Sequence, residues 1–312
     1  MPTILTITLN PAVDISTETE RLLPSHKLRC AASHRFPGGG GINVARVIQR
    51  LGGDCVALYL AGGVVGQQLR HLIALEHLPS LGLAIGGETR ESFSVVETSS
   101  GREYRFVLPG PQVTEPEWQA CLAYLETVGP APEIVVLSGS LPPGLADDSY
   151  ARLAQLARAR GSKIVLDSSG AALTQALDTG VMLIKPSLRE LSELSGRTLD
   201  TEQQQRAAAH ELIDSGRAEL VALSMGEQGA MLVSATGAWR AEALKVSVKS
   251  TTGAGDSFLA AMVWGLTRGM AQVDAFRHGV AAGSAALLHS GTVLCLAADV
   301  MRLAPQVQIR QI

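Results

Sequence analysis

Short apolar segments alternate with longer amphipathic segments from residue 130 onward, and this alternation constrains the fold more than any other feature of the chain. It predicts strands and intervening helices at residues 134–138, 149–160, 163–167, 182–185, 188–194, 201–215 and 220–224. Strands that alternate with helices build a parallel sheet with helices on both faces. A chain of 312 residues, 46% of them hydrophobic, can bury one large core of this kind. We therefore expect residues 1–312 to form a single α/β domain.

The first half of the chain shows the same rhythm with two interruptions. The rhythm predicts strands and helices at residues 3–9, 42–51, 56–61 and 66–77. Residues 12–35 have no helical period, and residues 91–108 alternate around a Ser-Ser-Gly turn as a β-hairpin does. Because both interruptions are rich in β-forming residues, we expect segments 12–35 and 90–110 to form one small sheet that covers the domain as a lid. Near the end of the chain, one helix is predicted before and one after residues 279–284.

The charge and cysteine content exclude several classes of function. A net charge of −3 and a pI near 6.2 give no general attraction to nucleic acids or anionic membranes, so neither is an expected partner. The four cysteines lie far apart without a CxxC pair, which argues against a zinc site or a disulfide framework. The first strand begins without the basic start of a signal peptide, and no apolar run reaches the roughly 18 residues of a membrane span. We expect a soluble, cytoplasmic protein that binds small anionic molecules.

Polar residues follow the predicted strands at the point where each strand ends. Asp14 lies just past the turn after the first strand. Four further polar segments follow later strands: Ser138-Gly139-Ser140, Asp167-Ser168-Ser169, Lys185-Pro186-Ser187 and Ser224-Met225-Gly226. Open α/β sheets bind their ligands at the carboxyl ends of the strands. We therefore expect the binding site at this edge of the sheet.

The sequence Thr-Thr-Gly-Ala-Gly-Asp-Ser at residues 251–257 indicates an anion site. It precedes the apolar run 258–264, which is typical of a buried helix, and its two glycines mark a turn that needs an unhindered backbone. Such a turn leaves unpaired N–H groups at the positive end of the helix dipole, where an anion binds. Asp256 has two interpretations in this place. It either caps the helix or acts as a base beside an incoming phosphoryl group.

Four glycines at residues 38–41 lead into a predicted helix and offer a second set of open N–H groups. The segment is not a Walker A loop, because no Gly-Lys-Ser/Thr follows, and it is not GxGxxG. A flexible hinge is the alternative interpretation. Asn43, at the start of the helix, either caps it or binds a sugar hydroxyl.

Basic side chains occur in both β-rich segments. Lys27 and Arg29 are two residues apart and would face one side of a strand, with Arg35 further on, and Arg90 begins the second segment. Closure of a lid could bring Lys27, Arg29 and Arg90 onto one dianion, and the planar fork of arginine suits phosphate oxygens. A solvated strand face is the alternative.

Five segments carry a resemblance to a known family: residues 9–14 (Leu-Asn-Pro-Ala-Val-Asp), 38–46, 137–144 (Leu-Ser-Gly-Ser-Leu-Pro-Pro-Gly), 185–186 (Lys-Pro) and 251–256. The chain resembles the ribokinase superfamily over nearly its whole length, and within it the phosphofructokinase B branch. The glycines at 38–41 and Lys27-Leu28-Arg29-Cys30 are similar to those of the type 2, or minor, bacterial 6-phosphofructokinases. The resemblance implies a ribokinase-like, Rossmann-like three-layer α/β sandwich, with a small projecting β-sheet lid that also forms a homodimer interface.

The activity implied by this resemblance is ATP-dependent phosphorylation of fructose 6-phosphate at its 1-hydroxyl, a glycolytic step that gives fructose 1,6-bisphosphate. Tagatose-6-phosphate kinase and 1-phosphofructokinase are alternatives, although such members usually carry a lysine where Gly40 stands. An inactive sugar-phosphate-binding regulator is a further alternative, but it would not need Asp256 beside an anion site. A nicotinamide dehydrogenase would fit a doubly wound sheet, but no GxGxxG follows the first strand.

The resemblance also implies roles for individual residues. Asp256 is the implied base, with Gly253, Ala254 and Gly255 as the anion hole. The implied phosphosugar contacts, some of them reaching across the dimer, are Asp14, Lys27, Arg29, Gly39, Gly40, Asn43, Arg90 and Ser138. The implied ATP contacts are Lys185, Ser187, Ser224, Gly226, Gly229, Val280 and Ser284. A monovalent cation, such as K⁺, is implied near Ser250, Thr252, Ala286 and Gly291.

One motif departs from the family pattern. The family's Asn-x-x-Glu motif, which organises Mg²⁺ and phosphate through water, is Ser187-Leu188-Arg189-Glu190 here. Serine is shorter and offers a hydroxyl in place of an amide. We therefore expect an active enzyme with a weaker or rearranged metal site, in which Glu190 binds Mg²⁺ through water. The implied chemistry is in-line transfer of the ATP γ-phosphoryl group, where positioning and charge stabilisation carry most of the catalysis.

Overall fold

Two β-sheets organise the chain in the computed structural model, which describes residues 3–312. The strands are β1 (Ile4–Thr8), β2 (Ala12–Thr19), β3 (His34–Gly38), β4 (Cys55–Ala61), β5 (Ser80–Ala84), β6 (Arg90–Glu97), β7 (Arg102–Val107), β8 (Ile134–Ser138), β9 (Lys163–Asp167), β10 (Val181–Ile184), β11 (Ala218–Ser224), β12 (Ala230–Ser234), β13 (Gly237–Ala241) and β14 (Ile309–Gln311). The main sheet has the order β14-β13-β12-β11-β10-β9-β8-β1-β4-β5, and the second sheet has the order β3-β2-β6-β7.

Helices cover both faces of the main sheet, as predicted. They are α1 (Gly40–Arg50), α2 (Gly63–Leu75), α3 (Glu115–Thr127), α4 (Ser149–Ala159), α5 (Gly170–Leu177), α6 (Leu188–Ser195), α7 (Glu202–Asp214), α8 (Ala254–Thr267), α9 (Gln272–Ala286) and α10 (Ala297–Leu303). Along β8, Ile134 and Val136 join the core beneath α1, α2, α8, α9 and α10, whereas Val135 and Leu137 join the core beneath α3 to α7. This alternation produces a three-layer α/β sandwich. Within the described chain, no helix is both long and apolar enough to cross a membrane.

The strand order of the main sheet creates a crevice. The strands from β5 through β1 to β11 are all parallel. β1 lies between β4 and β8, so the chain builds the sheet first toward one edge and then toward the other. At such a switch in strand order, the loops after neighbouring strands diverge and leave room for a ligand.

The other end of the main sheet, from β11 to β14, is antiparallel, and the sequence analysis predicted no strand after β11. β12 and β13 have the sequences Ala-Met-Leu-Val-Ser and Gly-Ala-Trp-Arg-Ala. Each strand has only five residues, and such short segments give little periodic signal. β12 pairs with β11, and β13 pairs with β12 and β14, so this part of the sheet depends on strand pairing that the local sequence does not indicate.

The second sheet, called the lid below, contains both β-rich interruptions. β2 pairs with β3 and β6, and β6 pairs with β7. Residues 20–33, between β2 and β3, are irregular and mostly exposed, so the prediction that Lys27 and Arg29 share a strand face is wrong. Pro24 has no N–H for a strand ladder, and Ser25 turns the chain with a left-handed backbone, φ 61°.

Residues 279–284, expected to separate two helices, lie inside the continuous helix α9. Their glycines permit close packing of α9 on α8 rather than a break in the chain. An added Cβ at Gly279 would lie 2.7 Å from Met262 Cγ and 3.1 Å from the Phe258 carbonyl oxygen. A glycine inside a helix costs stability, but here it removes a steric clash between two helices.

Candidate active site

A cleft of about 410 Å³ opens between the lid and the carboxyl ends of the main-sheet strands. Its floor comes from the starts of α1 and α8 and from the loops that follow β8, β9 and β10. The lid contributes Asp14, Arg90, Ser92, Arg105 and Val107. Of the predicted site residues, the cleft brings together Asp14, Gly39, Gly40, Asn43, Arg90, Ser138, Lys185, Glu190, Thr252, Gly253, Gly255 and Asp256.

The start of α8 forms one wall of the cleft, at the turn that the two glycines predict. Gly253 precedes Ala254, the first residue of α8, with φ 76° and ψ 4° in the left-handed region. The left-handed backbone favours glycine here, and an added Cβ at Gly253 would also displace the end of the Leu294 side chain. Because Gly253 and Gly255 line the cleft, the unpaired N–H groups of the first turn lie at its wall.

Asp256 belongs to this first turn but does not occupy the capping position, which is Gly253. Its Oδ2 accepts a 2.8 Å hydrogen bond from Nδ2 of Asn43 on α1. Burial raises the pKa of Asp256, and the Asn43 amide and the Lys185 ammonium oppose that rise. The geometry therefore favours a base that faces the cleft over a helix cap.

Asp14 and two lid arginines line one part of the cleft. Burial raises the pKa of Asp14, and the charges of Arg105, Arg46 and Arg90 oppose that rise. Arg90 is fixed in place, because Nη1 donates to the Leu108 carbonyl at 3.1 Å and Nη2 donates to the Asn10 carbonyl at 2.9 Å. Two guanidinium groups at one end of a cleft suit a ligand that carries a phosphate.

Lys185 and three carboxylates line another part of the cleft. Lys185 Nζ lies 3.2 Å from Asp167 Oδ1. Burial alone would lower the pKa of Lys185, but Asp167, Asp256 and Glu190 outweigh burial, so the pKa is raised and the ammonium stays charged. Burial also raises the pKa of Asp167, to about 6, against the opposing charge of Lys185. Asp256 interacts with both groups of charges, since Lys185, Asp14 and Arg105 all act on its pKa.

Comparison with known proteins identifies the family. The model of the pfkB family of carbohydrate kinases matches residues 6–299. The chain belongs to this family. The chain is therefore a kinase, an enzyme that transfers a phosphoryl group.

Two relatives carry the name ATP-dependent 6-phosphofructokinase isozyme 2. The kinase is 46% identical over 301 residues to that of Mycobacterium tuberculosis, which covers 96% of this chain and 88% of the relative. It is 41% identical over 305 residues to that of Escherichia coli K12, with 97% and 98% covered. A 1-phosphofructokinase of Bacillus subtilis is more distant, at 32% identity over 282 residues, with 90% and 91% covered.

Solved structures confirm the ribokinase-like fold. Phosphofructokinase-2 from Escherichia coli, crystallised in complex with substrates and products, matches with a TM-score of 0.94 and 40% identity over 97% of this chain and 98% of that chain. The same protein has been solved in complex with potassium, with a TM-score of 0.93. It has also been solved as a tetrameric inhibited form, with a TM-score of 0.90.

Ser187 and Glu190 of the kinase form a capping box at the start of α6. Glu190 Oε2 accepts hydrogen bonds of 2.8 Å from both the backbone N–H and the hydroxyl of Ser187. In return, the Glu190 N–H donates to Ser187 Oγ at 3.3 Å. Ser187 thus orients the carboxylate of Glu190, which lines the cleft.

Gly40 and Ser138 adjoin one another on the floor of the cleft. Ser138 is 1% exposed. Its hydroxyl is one of the buried side-chain atoms that have no hydrogen-bond partner within residues 3–312. An added Cβ at Gly40 would lie 2.3 Å from that hydroxyl oxygen. Because buried polar atoms are normally paired and Ser138 lines the cleft, its hydroxyl is a candidate for a ligand contact, which a side chain at position 40 would block.

Several predicted residues lie outside the lining of the cleft: Lys27, Arg29, Ala254, Ser187, Ser224, Gly226, Gly229, Val280 and Ser284. Ser224 ends β11, where its hydroxyl donates to the Pro186 carbonyl at 3.3 Å, next to Lys185. Gly226 begins the short helical turn after β11, and Gly229 follows it. Val280 and Ser284 are buried on α9.

The residues predicted to bind a monovalent cation lie close to a lid contact. Both carboxylate oxygens of Glu103, on β7, accept hydrogen bonds of 3.0 Å from the Ser250 hydroxyl, and one accepts a bond of 3.3 Å from Thr252. Ala286 ends α9, and Gly291 begins the turn that follows. Glu103 therefore connects the lid to the loop that leads into α8.

The sequence analysis missed Arg105 and Glu103 and gave Asp167 no role. Arg105 could have been found by the period of two in the hairpin. Tyr104, Phe106 and Leu108 indicate one face of this strand, so Arg105 belongs to the other face, with Val107, and both line the cleft. For Glu103, the same period gives the correct face but not its partners, which are about 150 residues further along the chain.

Proposed function

We propose that this kinase transfers the γ-phosphoryl group of ATP to the 1-hydroxyl of fructose 6-phosphate, which gives fructose 1,6-bisphosphate and ADP. The observation that carries the proposal is the placement of Asp256. Asp256 lines the same cleft as Asp14, Arg90 and Arg105 and as Lys185, Asp167 and Glu190, and the charges of Asp14, Arg105 and Lys185 act on its pKa. A base in this position can serve an acceptor on one side and a nucleotide on the other. Identities of 46% and 41% to 6-phosphofructokinases, against 32% to a 1-phosphofructokinase, support the choice of acceptor.

The proposed acceptor site lies beside Asp14. Asp14 and Asn43 bind hydroxyls of the sugar, and the backbone at Gly39 and Gly40 approaches it without side chains. Arg90, Arg105 and the free Ser138 hydroxyl bind the 6-phosphate. The phosphate must lie away from Asp256, because the hydroxyl that reacts occupies that end. This separation explains why the acceptor would be phosphorylated at the end opposite its existing phosphate.

The proposed nucleotide site lies beside Lys185. The Lys185 ammonium, kept charged by its carboxylate neighbours, meets the phosphates of ATP. Ser187, Ser224, Gly226, Gly229, Val280 and Ser284 surround the rest of the nucleotide in this proposal. Ser224 supports it best, since its hydrogen bond to the Pro186 carbonyl keeps the end of β11 next to Lys185.

The proposed reaction is a direct, in-line displacement. Asp256 accepts the proton of the 1-hydroxyl as its oxygen forms a bond to the γ-phosphorus, and the bond from that phosphorus to the bridging oxygen of ADP breaks. The N–H groups of Gly253, Ala254 and Gly255 stabilise the charge that develops on the transferred group. Asp256 must be ionised to act, and the hydrogen bond from Asn43 favours its ionised form.

Metal ions have oxygen donors available at two places. Among residues 3–312, no cluster of three acidic, histidine or cysteine side chains could hold a metal alone, so Mg²⁺ would be bound jointly by the ATP phosphates and by Glu190 through water. Mg²⁺ would supply charge neutralisation at the phosphates. A K⁺ ion would lie near Ser250, Thr252, Ala286 and Gly291, where the Glu103 carboxylate balances its charge. Phosphofructokinase-2 from Escherichia coli was solved with potassium.

The lid provides the proposed interface of a homodimer. Phe106, on β7, and Leu108, just after it, share the face of the hairpin opposite to Arg105 and Val107, and they are 52% and 43% exposed. In a dimer joined through the lid, Lys27 and Arg29 of one protomer would bind the phosphate in the cleft of the other, which would give these exposed cations a role.

ATP and fructose 6-phosphate are metabolites of the cytoplasm, which is the proposed compartment.

A substrate panel tests the proposed function. Initial rates are measured with ATP and Mg²⁺ on fructose 6-phosphate, tagatose 6-phosphate, fructose 1-phosphate and fructose, through release of ADP. We expect the highest kcat/KM with fructose 6-phosphate. A preference for fructose 1-phosphate would identify a 1-phosphofructokinase, a preference for tagatose 6-phosphate would identify a tagatose-6-phosphate kinase, and binding of fructose 6-phosphate without turnover would indicate a regulator.

A further inference from the structure

Arg46 is a buried arginine outside the cleft lining whose contacts the proposed mechanism does not use. It is 1% exposed on α1, one helical turn after Asn43. Its Nε and Nη2 bind the two carboxylate oxygens of Glu76 at 2.9 and 2.6 Å. Such a bidentate pair fixes the plane of the guanidinium. The remaining nitrogen, Nη1, then faces Asn43 of α1, the end of β3 and the loop that follows α9.

Nη1 has three acceptors. It donates to Asn43 Oδ1 at 3.2 Å, to the Pro37 carbonyl at 3.0 Å and to the Thr292 carbonyl at 3.1 Å. Pro37 belongs to β3 of the lid, just before the glycines that open α1, and Thr292 lines the cleft. A single buried cation therefore joins the amide of Asn43, the base of the lid and the loop that follows α9.

We propose that Arg46 is a positioning residue for phosphoryl transfer, which fixes the orientation of the Asn43 amide so that its nitrogen donates to Asp256. A guanidinium has donors only, so the amide atom that faces Arg46 must be the oxygen. The nitrogen then points at Asp256 Oδ2, 2.8 Å away. In the flipped orientation, the amide nitrogen would face the N–H groups of Arg46, and the amide oxygen would face the carboxylate of Asp256. Neither pair could form a hydrogen bond. The proposal rests on the proposed role of Asp256 as the base.

A double-mutant cycle tests whether Arg46 acts through Asn43. Lysine at position 46 keeps a positive charge that can pair with Glu76. Its single ammonium group cannot also donate to Asn43 Oδ1 as the planar guanidinium does. We expect Arg46→Lys to lower kcat about tenfold, with the KM for ATP within about twofold of the wild type. In an Asn43→Ala background, the same change should alter kcat less than about twofold. An equal loss of kcat in both backgrounds, or no loss in the wild type, would overturn the proposal.

Arg50 supplies a matched control. It lies one turn further along α1, and its Nη2 binds the same carboxylate of Glu76 at 3.2 Å, but its other contacts are the carbonyls of Val293 and Cys295. Arg50→Lys therefore disturbs the same ion-pair network without touching Asn43. We expect its kcat within about twofold of the wild type. A tenfold loss in Arg50→Lys would assign the effect to the network as a whole and overturn the proposal.

Asn43→Asp tests the orientation even if Arg46→Lys fails to fold. Aspartate keeps the contact to Arg46, so the melting temperature should hold, but it places an acceptor opposite Asp256. We expect kcat below that of Asn43→Ala, and an acid limb of the kcat–pH profile at higher pH. The other charges that act on Asp256, from Lys185, Asp14 and Arg105, are the same in both variants. Equal kcat values and pH profiles for the two variants would contradict the proposal.

The two proposals fail separately. If Asp256→Asn kept wild-type kcat, the role of Asp256 as base would be wrong. If the cycle were additive while Asp256→Asn lost activity, only the role of Arg46 would be wrong.

Discussion

The floor and the lid of the cleft are built in different ways. The floor residues Asn43, Ser138 and Lys185 are 4%, 1% and 7% exposed, and the core on both faces of the main sheet fixes their positions. The lid is a single sheet, and its cation Arg105 and its apolar residues on β7 are exposed. Close packing specifies geometry to a fraction of an ångström, whereas a thin exposed sheet can carry charge without such precision. We therefore expect the floor to determine kcat and the lid to determine the KM of the acceptor.

The largest expected effect is on the floor, at Asp256. Asp256→Asn should keep the fold, because asparagine can still accept the hydrogen bond from Asn43, but it cannot take a proton. We expect at least about a hundredfold loss of kcat, with ATP binding and melting temperature unchanged. Steady-state rates, ATP titration and thermal unfolding measure the three quantities. Asp147→Asn, an exposed change of the same chemistry, is the control. A kcat near that of the wild type would exclude Asp256 as the base.

A smaller effect is expected on the lid, at Arg90. Charge-assisted hydrogen bonds contribute roughly 1.5–3 kcal/mol each, so Arg90→Ala should raise the KM for fructose 6-phosphate about tenfold to a hundredfold. The KM for ATP should change less than about twofold. Arg102→Ala, on the opposite face of β7 from Arg105, removes a lid arginine that is exposed and does not line the cleft. If Arg90→Ala lowered kcat instead of raising that KM, the division between floor and lid would be wrong.

The smallest expected effect concerns Ser187, at the edge of the floor. Asparagine is as good a helix cap as serine, so Ser187→Asn should keep α6 intact while it adds an amide at the proposed Mg²⁺ site. We expect the Mg²⁺ concentration for half-maximal rate to fall a few-fold, by roughly the contribution of one hydrogen bond. Thr201→Asn changes the equivalent capping box of α7, away from the cleft, and serves as the control. An identical Mg²⁺ titration would mean that Ser187 already orients Glu190 sufficiently.

The sequence predicts the helices and strands that form the floor better than it predicts the contacts between them. β8 and β9 have the predicted bounds, because each is an apolar run that ends at polar turn residues. Among the segments that sequence analysis missed or misplaced, β13 and the middle of α9 consist largely of alanine and glycine. These residues give little periodic signal, and their structure is decided by the partners on which they pack.

The position of the candidate site was predictable where turn glycines lead into an apolar helix. This pattern places Asp256 in the first turn of α8, at the wall of the cleft, whereas its role as a base stays a prediction. The proposed role of Arg46 was not predictable, because an arginine on an amphipathic helix is usually exposed, and only the folded chain shows its bidentate pair with Glu76. The role of Lys27 and Arg29 could not be predicted from their local sequence either. Their proposed contact is with a phosphate in the cleft of a second protomer.

The hydrogen bond between Asn43 and Asp256 has a consequence for how this enzyme folds during its synthesis. Its two partners are 213 positions apart in the chain. Contacts of such long range form late in folding, because the loop between them must first be closed. During synthesis, the ribosome releases Asn43 long before Asp256, so the nascent chain has the glycine-rich loop and the proposed acceptor residues but not the proposed base. The proposed active site is therefore complete only after the last third of the polypeptide has folded onto the first.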